Sequence, residues 1–186
     1  MPGQDFAKRC LEKEIYAYGT AFLFEHRSAA LRFGLRILSF LSLLVPLSVG
    51  GIALAGANSE WLPTIVTVSG ILSIPLFGMT LWSLVFRWEE RLATSVNSFK
   101  FNNDLKNKWN DLARYSEADA ENKYKELLEL DRTQEQSDIL QDVSAKDKRR
   151  MMRASLVQYG RTCVTCRLQP ASHSAKSSKC GTCGDF

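Results

Sequence analysis

The chain has 186 residues and a formal net charge of +4, which allows one or two domains. Its mean hydropathy is slightly negative, but this average hides an apolar stretch at residues 37–86 beside a very polar C-terminal half. The chain has only two histidines, no glycine-rich phosphate loop and no Ser/His/Asp set, so its composition argues against an enzyme.

Residues 1–36 are predicted to form an N-terminal cytoplasmic amphipathic helix. Leu11, Ile15, Tyr18 and Phe22 recur at roughly helical spacing among charged residues. This helix either runs straight into the following apolar segment or lies at a membrane interface. A signal peptide is not expected, because this polar and amphipathic segment comes first.

Two apolar segments, 37–57 and 64–86, are each predicted to cross a membrane. Each is just over 20 residues long, and a helix of that length spans the hydrocarbon thickness of a bilayer, about 30 Å. Glu60 is the only charged residue between them, in a short turn at 58–63. A buried hairpin in a soluble protein is the alternative, but the rest of the chain is too polar to cover helices that are apolar all round. We therefore expect an all-α membrane protein built on a helical hairpin.

Basic residues occur at only one end of the predicted hairpin. They precede the first span and follow the second, and the turn that joins the spans has none. By the positive-inside rule, both termini are cytoplasmic and the turn faces the opposite side, which predicts a membrane protein with two spans. The flanking residues are Arg27, Arg32, Arg36, Arg87, Arg91 and Lys100.

Four hydroxyl residues of the second span share one helical face. Ser69, Ser73, Thr80 and Ser83 are spaced by 4, 7 and 3 residues. Small and hydroxyl residues on a membrane helix commonly form a packing surface between helices. The alternative is a hydroxyl-lined wall of a pore formed when several hairpins assemble. Neither span contains an ionisable residue, so a proton relay has no support.

Residues 87–160 are predicted to be a cytoplasmic helical region. One helix continues to about Tyr115, and a capping box from Ser116 to Asp119 begins a second. Residues 131–137 are predicted to be a loop. A second capping box, from Ser144 to Asp147, begins a last helix, which ends at Gly160. These helices either pack within one chain or assemble several chains into a homo-oligomer.

The last helix is strongly basic. Residues 89–143 hold 13 acidic and 8 basic residues, whereas residues 144–186 hold 2 acidic and 9 basic ones. Such a segment can contact nucleic acid, anionic lipid or the acidic helices of its own protein. The candidate contact residues are Lys146, Lys148, Arg149, Arg150 and Arg153.

Four of the five cysteines form two Cys-x-x-Cys pairs in the C-terminal segment 161–186. The pairs are Cys163 with Cys166 and Cys180 with Cys183, separated by thirteen residues. Two such turns complete a tetrahedral, closed zinc shell, so we predict a structural zinc knuckle. A redox dithiol or disulfides are the alternatives, and the reducing cytoplasm argues against disulfides. We expect Cys10 to be an ordinary thiol.

Several short segments, together with the paired cysteines, carry a family resemblance: Ala17-Tyr18-Gly19-Thr20, Phe24-Glu25-His26-Arg27, Trp82-Ser83-Leu84-Val85, Arg87-Trp88, Lys148-Arg149 and Arg153-Ala154. With them the whole chain resembles the SLATT-type two-transmembrane effectors and the mobilome double-CxxC proteins that carry such a domain. The double-CxxC family usually has about eleven residues between the cysteine pairs, so the zinc loop differs in length here.

This resemblance implies a membrane effector, or toxin, of a bacterial antiphage defence system, of the retron type in preference to a cyclic-oligonucleotide operon. It also implies a location in the bacterial inner membrane, with the turn in the periplasm. On activation by a phage, such an effector disrupts the inner membrane and causes abortive infection. The implied partner is a reverse transcriptase with its RNA–DNA hybrid, or a nucleotide-signalling protein of the same operon. The alternative function is a non-toxic anchor or scaffold for a cytoplasmic complex.

Overall fold

The computed structural model describes residues 2–55, 61–114, 119–174 and 179–184, and in these ranges it contains helices and turns but no strand. The all-α prediction is therefore confirmed. The five helices are α1 (Pro2–Ala55), α2 (Leu62–Val85), α3 (Trp88–Ala113), α4 (Ala120–Ile139) and α5 (Ala145–Gln158).

Helix α1 contains both the predicted N-terminal helix and most of the first apolar segment. The N-terminal helix therefore continues without a break into the apolar segment, which was one of the two alternatives for residues 1–36. Helix α2 coincides closely with the second predicted span. The first half of the predicted turn at 58–63 lies outside the described residues, and its last two residues already belong to α2.

The chain divides into two compact units, and the first comprises residues Arg27–Thr94. It contains the later part of α1, all of α2 and the start of α3. A Cβ atom on Gly34 would lie 3.4 Å from the ring of Trp88. The beginning of one apolar helix thus lies beside the end of the other, as in an antiparallel hairpin. We call this unit the hairpin unit.

The two helices of the hairpin unit are long and apolar enough to cross a membrane. Only 6% of the most apolar stretch of each is buried in the structure. Large apolar side chains are accordingly exposed along both helices, among them Phe40, Leu47, Ile74 and Phe77. A helix in the core of a soluble protein would be mostly covered by its own chain.

The second unit comprises Met1–His26 and Ser95–Phe186, and we call it the polar unit. Its core lies where α1, α3 and α4 meet, around the fully buried Trp109 and Cys10. The rings of Trp109 and Tyr124 pack edge-on with their centroids 5.3 Å apart, and the ring centroid of Phe6 lies 5.8 Å from that of the same tyrosine. Apolar burial therefore holds these three helices together.

Helix α5 packs closely against α1 within the polar unit. The Ser155 hydroxyl donates a hydrogen bond of 2.9 Å to the carbonyl oxygen of Ile15. The hydroxyl of Tyr159 donates to the buried carboxylate of Glu14 at 2.8 Å, and Asn110 of α3 donates to the same oxygen at 3.1 Å. Burial raises the pKa of Tyr159 above its ordinary value, and its bond to Glu14 adds to this.

The predicted loop at 131–137 is wrong, because α4 continues through it to Ile139. Its polar composition is typical of a loop, but two of its residues bond to neighbouring helices. Lys13 of α1 pairs with Asp131 at 2.6 Å, and Gln134 donates to the Ser98 hydroxyl of α3 at 3.4 Å. The buried carboxylate of Asp138, directly after this segment, accepts bonds of 2.7 Å from Asn102 of α3 and from Gln134 of its own helix. Tertiary contacts therefore stabilise a helix whose composition resembles a loop.

The capping box at Ser144 is confirmed. Its hydroxyl accepts a bond of 3.1 Å from the backbone N–H of Asp147, whose carboxylate accepts the backbone N–H of Ser144 at 3.1 Å. Helix α5 ends at Gln158, and Gly160 follows with φ +60, as a C-terminal glycine stop requires. The other predicted capping box does not begin α4: its N-cap residue is Asp119, without a side-chain cap bond, and the helix begins at Ala120. Ser116 lies outside the described residues.

Candidate metal centre

The two Cys-x-x-Cys turns have the same local geometry. In the first, the backbone N–H of Arg167 donates to the carbonyl of Cys163 at 2.8 Å; in the second, Gly184 donates to Cys180 at 2.9 Å. Thr165 and Thr182 occupy equivalent positions, and their hydroxyls share a hydrogen bond of 2.6 Å. The turns therefore lie side by side, each presenting two sulfurs to the other.

The four sulfur atoms are placed to bind one metal ion. They all lie within 4.8 Å of one another, with Cys163 and Cys180 separated by 3.9 Å and Cys166 and Cys183 by 3.6 Å. A regular tetrahedron with Zn–S bonds of about 2.3 Å has sulfurs about 3.8 Å apart. The geometry thus fits structural zinc, in agreement with the sequence prediction.

The thiols differ in how easily they ionise. Burial opposes ionisation of Cys163, but backbone N–H groups of Cys166 and Thr165 outweigh it and lower the pKa of this thiol. The backbone N–H groups of Thr182 and Cys183 lower the pKa of Cys180 to about 6. Burial and the neighbouring sulfurs raise the pKa of Cys183. Crowded sulfurs that cannot all ionise together are stabilised as thiolates by a cation among them.

Disulfides are not formed in this structure, since all five cysteines are free thiols. The sulfur separations are also far longer than an S–S bond of about 2 Å. Cys10 lies in the apolar core far along the chain from the pairs, and burial raises the pKa of its thiol. The ring of His173 stacks on Phe22 at 5.4 Å, and this histidine is not part of the cysteine cluster.

The knuckle is held on α5 by apolar packing and by Arg153. Leu156, Cys163 and Cys183 form a small buried cluster against which Met152 packs. Arg153 is only 5% exposed. Its guanidinium donates to the carbonyl oxygen of Ser172 at 2.8 Å and to that of Cys183 at 3.1 Å. This arginine therefore joins the helix to the loop between the cysteine pairs and to a metal ligand.

The five basic residues singled out on α5 do not share one environment. Lys146 and Lys148 are exposed, while Arg149 and Arg150 are half-buried. Arg153 is buried and committed to the knuckle, so it is not available at the surface. This role could not be predicted from the sequence, because Arg153 differs from the exposed bases beside it only through its bonds to a loop that is distant along the chain. Contact of the other four with nucleic acid stays a prediction.

The four hydroxyl residues of α2 also differ. Ser73 and Thr80 are exposed, Ser69 is half-buried and Ser83 is buried. The Ser73 hydroxyl donates to the carbonyl oxygen of Ser69 at 2.7 Å, and that of Thr80 donates to the carbonyl of Leu76 at 2.9 Å. These hydroxyls are satisfied within their own helix, so they can face lipid, a neighbouring helix or water. The choice between packing face and pore wall stays a prediction.

Comparison with known families agrees with the cysteine pattern. The family model described as "Mobilome CxxCx(11)CxxC protein" matches residues 7–186, and the chain therefore belongs to this family. It departs from the family description in having thirteen residues rather than eleven between the cysteine pairs. No curated protein and no solved structure matches the chain.

Proposed function

We propose that this member of the mobilome double-CxxC family is a membrane effector of a bacterial antiphage defence system. In this proposal the hairpin unit crosses the inner membrane twice and the polar unit holds it inactive from the cytoplasmic side. A phage trigger releases the hairpin, which then disrupts the membrane and causes abortive infection. The retron type is our preferred assignment, with a reverse transcriptase and its RNA–DNA hybrid as partner, ahead of a nucleotide-signalling protein.

The observation that carries the membrane role is the exposure of the two apolar helices. With only 6% of their most apolar stretches buried, they leave a large apolar surface that a soluble protein would have to cover. Lipid supplies that cover, and helices satisfy their backbone polar groups internally, as a bilayer demands. The basic flanks and the turn without Lys or Arg support the orientation with both termini inside.

Two features support the proposed toxic activity. The spans have no ionisable residue and the second has a face of hydroxyl residues, and the hairpin resembles that of SLATT-type effectors. One hairpin is too small to enclose a channel, so disruption requires several copies, and we propose a homo-oligomer. The α2 face that carries Ser73 and Thr80 would then line the opening or pack the copies together. Structural zinc in the polar unit would fold the C-terminal segment, which has little apolar surface of its own.

The experiment that tests this proposal is induced expression of the full chain with its operon partners, followed by infection. We expect the membrane potential to collapse and cell viability to fall soon after the trigger. Replacing Ser73 or Thr80 with Leu should weaken this effect if the hydroxyl face lines the opening, whereas unchanged toxicity would assign that face to packing.

A non-toxic anchor or scaffold predicts a different result in the same experiment. The chain would still insert in the membrane and hold its partners there, but the membrane potential and viability would stay unchanged after infection. That result would contradict the effector role and leave the membrane role intact.

A further inference from the structure

The polar unit contains a cavity of about 790 Å³ that none of the roles above uses. Residues from α1, α3, α4 and α5 line it, together with Gly181 and Thr182 of the second cysteine turn. Cavities that bind small organic ligands typically measure about 300–1,000 Å³. The volume is therefore sufficient for a small organic molecule rather than only for water or an ion.

Two basic residues of α5 line this cavity without a partner. The Nε atom of Arg149 is buried and has no hydrogen-bond partner, and neither Arg149 nor Lys148 has a side-chain hydrogen bond or ion pair within the described residues. A buried donor without an acceptor is unfavourable, and more so when it is charged. The charge of the Arg149 guanidinium is therefore left without a counter-ion within the described residues.

The other charged residues lining the cavity are largely accounted for within the chain. Lys13 is paired with Asp131 at 2.6 Å, and the Arg9 guanidinium bonds to Glu121 at 3.2 Å and lies over the Tyr124 ring. Asp138 accepts its two amide bonds. Glu12, Glu135 and Lys148 are exposed, so water screens their charges. Arg149 is half-buried with a buried Nε, so it is the unpaired charge of the lining that water screens least.

The lining also offers apolar surface that no other part of the polar unit covers. Tyr16 and Ile139 line the cavity and are each 65% exposed. Met151 and Met152 add adaptable apolar surface on the α5 side. A ligand with an apolar or aromatic body would cover these side chains while its charged group faces α5.

We propose that this cavity binds a phosphate monoester with an apolar body, the phosphate lying on Arg149 and Lys148 and the body on Tyr16 and Ile139. A phosphate monoester carries about −1.5 to −2 charges at neutral pH, which matches the two unpaired cations, whereas a carboxylate matches only one. Its three oxygens can accept from both side chains, and Arg and Lys are the usual phosphate-binding residues. This inference does not depend on the effector role.

The test uses the purified full chain in detergent and phenyl phosphate as the probe, with binding followed by titration calorimetry. We expect saturable one-to-one binding, weaker binding of inorganic phosphate and no binding of phenol. Arg149→Gln should weaken binding of phenyl phosphate by about tenfold or more, because it removes a charged donor to the phosphate. The matched control is Arg150→Gln, which removes the neighbouring base from outside the cavity lining and should leave binding unchanged.

Stability separates a binding role of Arg149 from a structural one. Since its Nε has no partner in the protein, Arg149→Gln should leave the thermal unfolding temperature of the ligand-free chain unchanged or raised. A clear loss of stability would mean that the arginine holds the fold, which would overturn its assignment to a ligand.

A phosphate monoester can also be a lipid headgroup, so a second arm uses nanodiscs containing phosphatidic acid or phosphatidylcholine alone. Competition with phenyl phosphate only in the phosphatidic acid discs would identify the lipid as the source, and equal phenyl phosphate binding in both would identify a soluble ligand. The proposal is overturned if phenyl phosphate does not bind in any arm, or if Arg149→Gln and Arg150→Gln weaken binding equally.

Discussion

Gly19 and Ser155 lie at the closest approach of α1 and α5: a Cβ atom on Gly19 would stand 2.7 Å from the Ser155 hydroxyl oxygen. It would also lie 3.1 Å from the backbone carbonyl oxygen of Met151. Glycine is therefore required for α5 to reach the carbonyl of Ile15, and α5 in turn carries the knuckle through Arg153 and Leu156. The metal centre is thus connected to α1 by direct contacts.

Gly19→Ala is expected to destabilise the polar unit. Overpacking typically costs about 1–3 kcal/mol, and alanine's better helix propensity returns about 1 kcal/mol, so we expect a net loss of up to about 2 kcal/mol. Thermal unfolding of the purified chain measures this. Gly50→Ala, also in α1, is the control, because nothing lies within 4 Å of its added Cβ, and it should cause no loss. Equal effects of the two would contradict the close packing.

Cys163→Ser and Cys180→Ser should each abolish zinc binding. Either change removes one of four thiolates from a closed tetrahedral shell and leaves a knuckle that apolar burial alone does not fold. Metal analysis of the purified protein should fall from about one zinc per chain to near zero. Cys10→Ser, in the apolar core, should keep its zinc. Full metal content in either knuckle variant would refute the site.

Arg153→Gln should loosen the knuckle without removing a ligand. The change deletes the guanidinium donors to the carbonyls of Ser172 and Cys183, and the loss at the buried Cys183 costs about 1–3 kcal/mol. We expect the variant to bind zinc but to release it to a chelator about tenfold faster or more. Arg150→Gln is the matched control. If both variants release zinc at the wild-type rate, Arg153 does not position the site.

We expect the buried carboxyl of Asp138 to make the free energy of unfolding depend on pH. Burial, above all, raises its pKa from the ordinary 3.8, although bonds from Ser98, Asn102 and Gln134 oppose the shift. The folded chain therefore binds this proton more tightly than the unfolded chain does. The protonated carboxyl thus adds to the free energy of unfolding, fully at pH values below the pKa of the unfolded chain. This stabilisation is lost as the pH rises through the pKa of the folded chain.

Asn does not titrate, so the free energy of unfolding of wild type relative to Asp138→Asn isolates this contribution. The difference should shift in favour of wild type as pH falls from neutral to about 4. Denaturant unfolding at several pH values measures it. A difference that stays constant, or that shifts toward the variant, would show that the carboxyl is not destabilised by burial.

The sequence predicted local features better than long-range ones. The Ser144 capping box depends on residues three apart and the metal ligands on short cysteine turns, so both were visible in the sequence. The helical state of 131–137 depends on bonds from Asn102 to Asp138 and from Lys13 to Asp131, across 36 and 118 residues. The bonds of Arg153 and the unpaired Nε of Arg149 likewise appear only after the helices have packed.

Both functional roles of the hairpin require the chain to cross the membrane twice with its zinc knuckle inside, and thiol labelling tests this most directly. A membrane-impermeant maleimide is applied to cells stripped of their outer membrane. Ser59→Cys places a thiol in the turn predicted from the sequence, and Leu140→Cys places one at the end of α4, where the leucine is 84% exposed. We expect labelling at position 59 beyond the wild-type level, and labelling at position 140 only after detergent. Labelling at position 140 before detergent is added, or protection at position 59, would contradict the account.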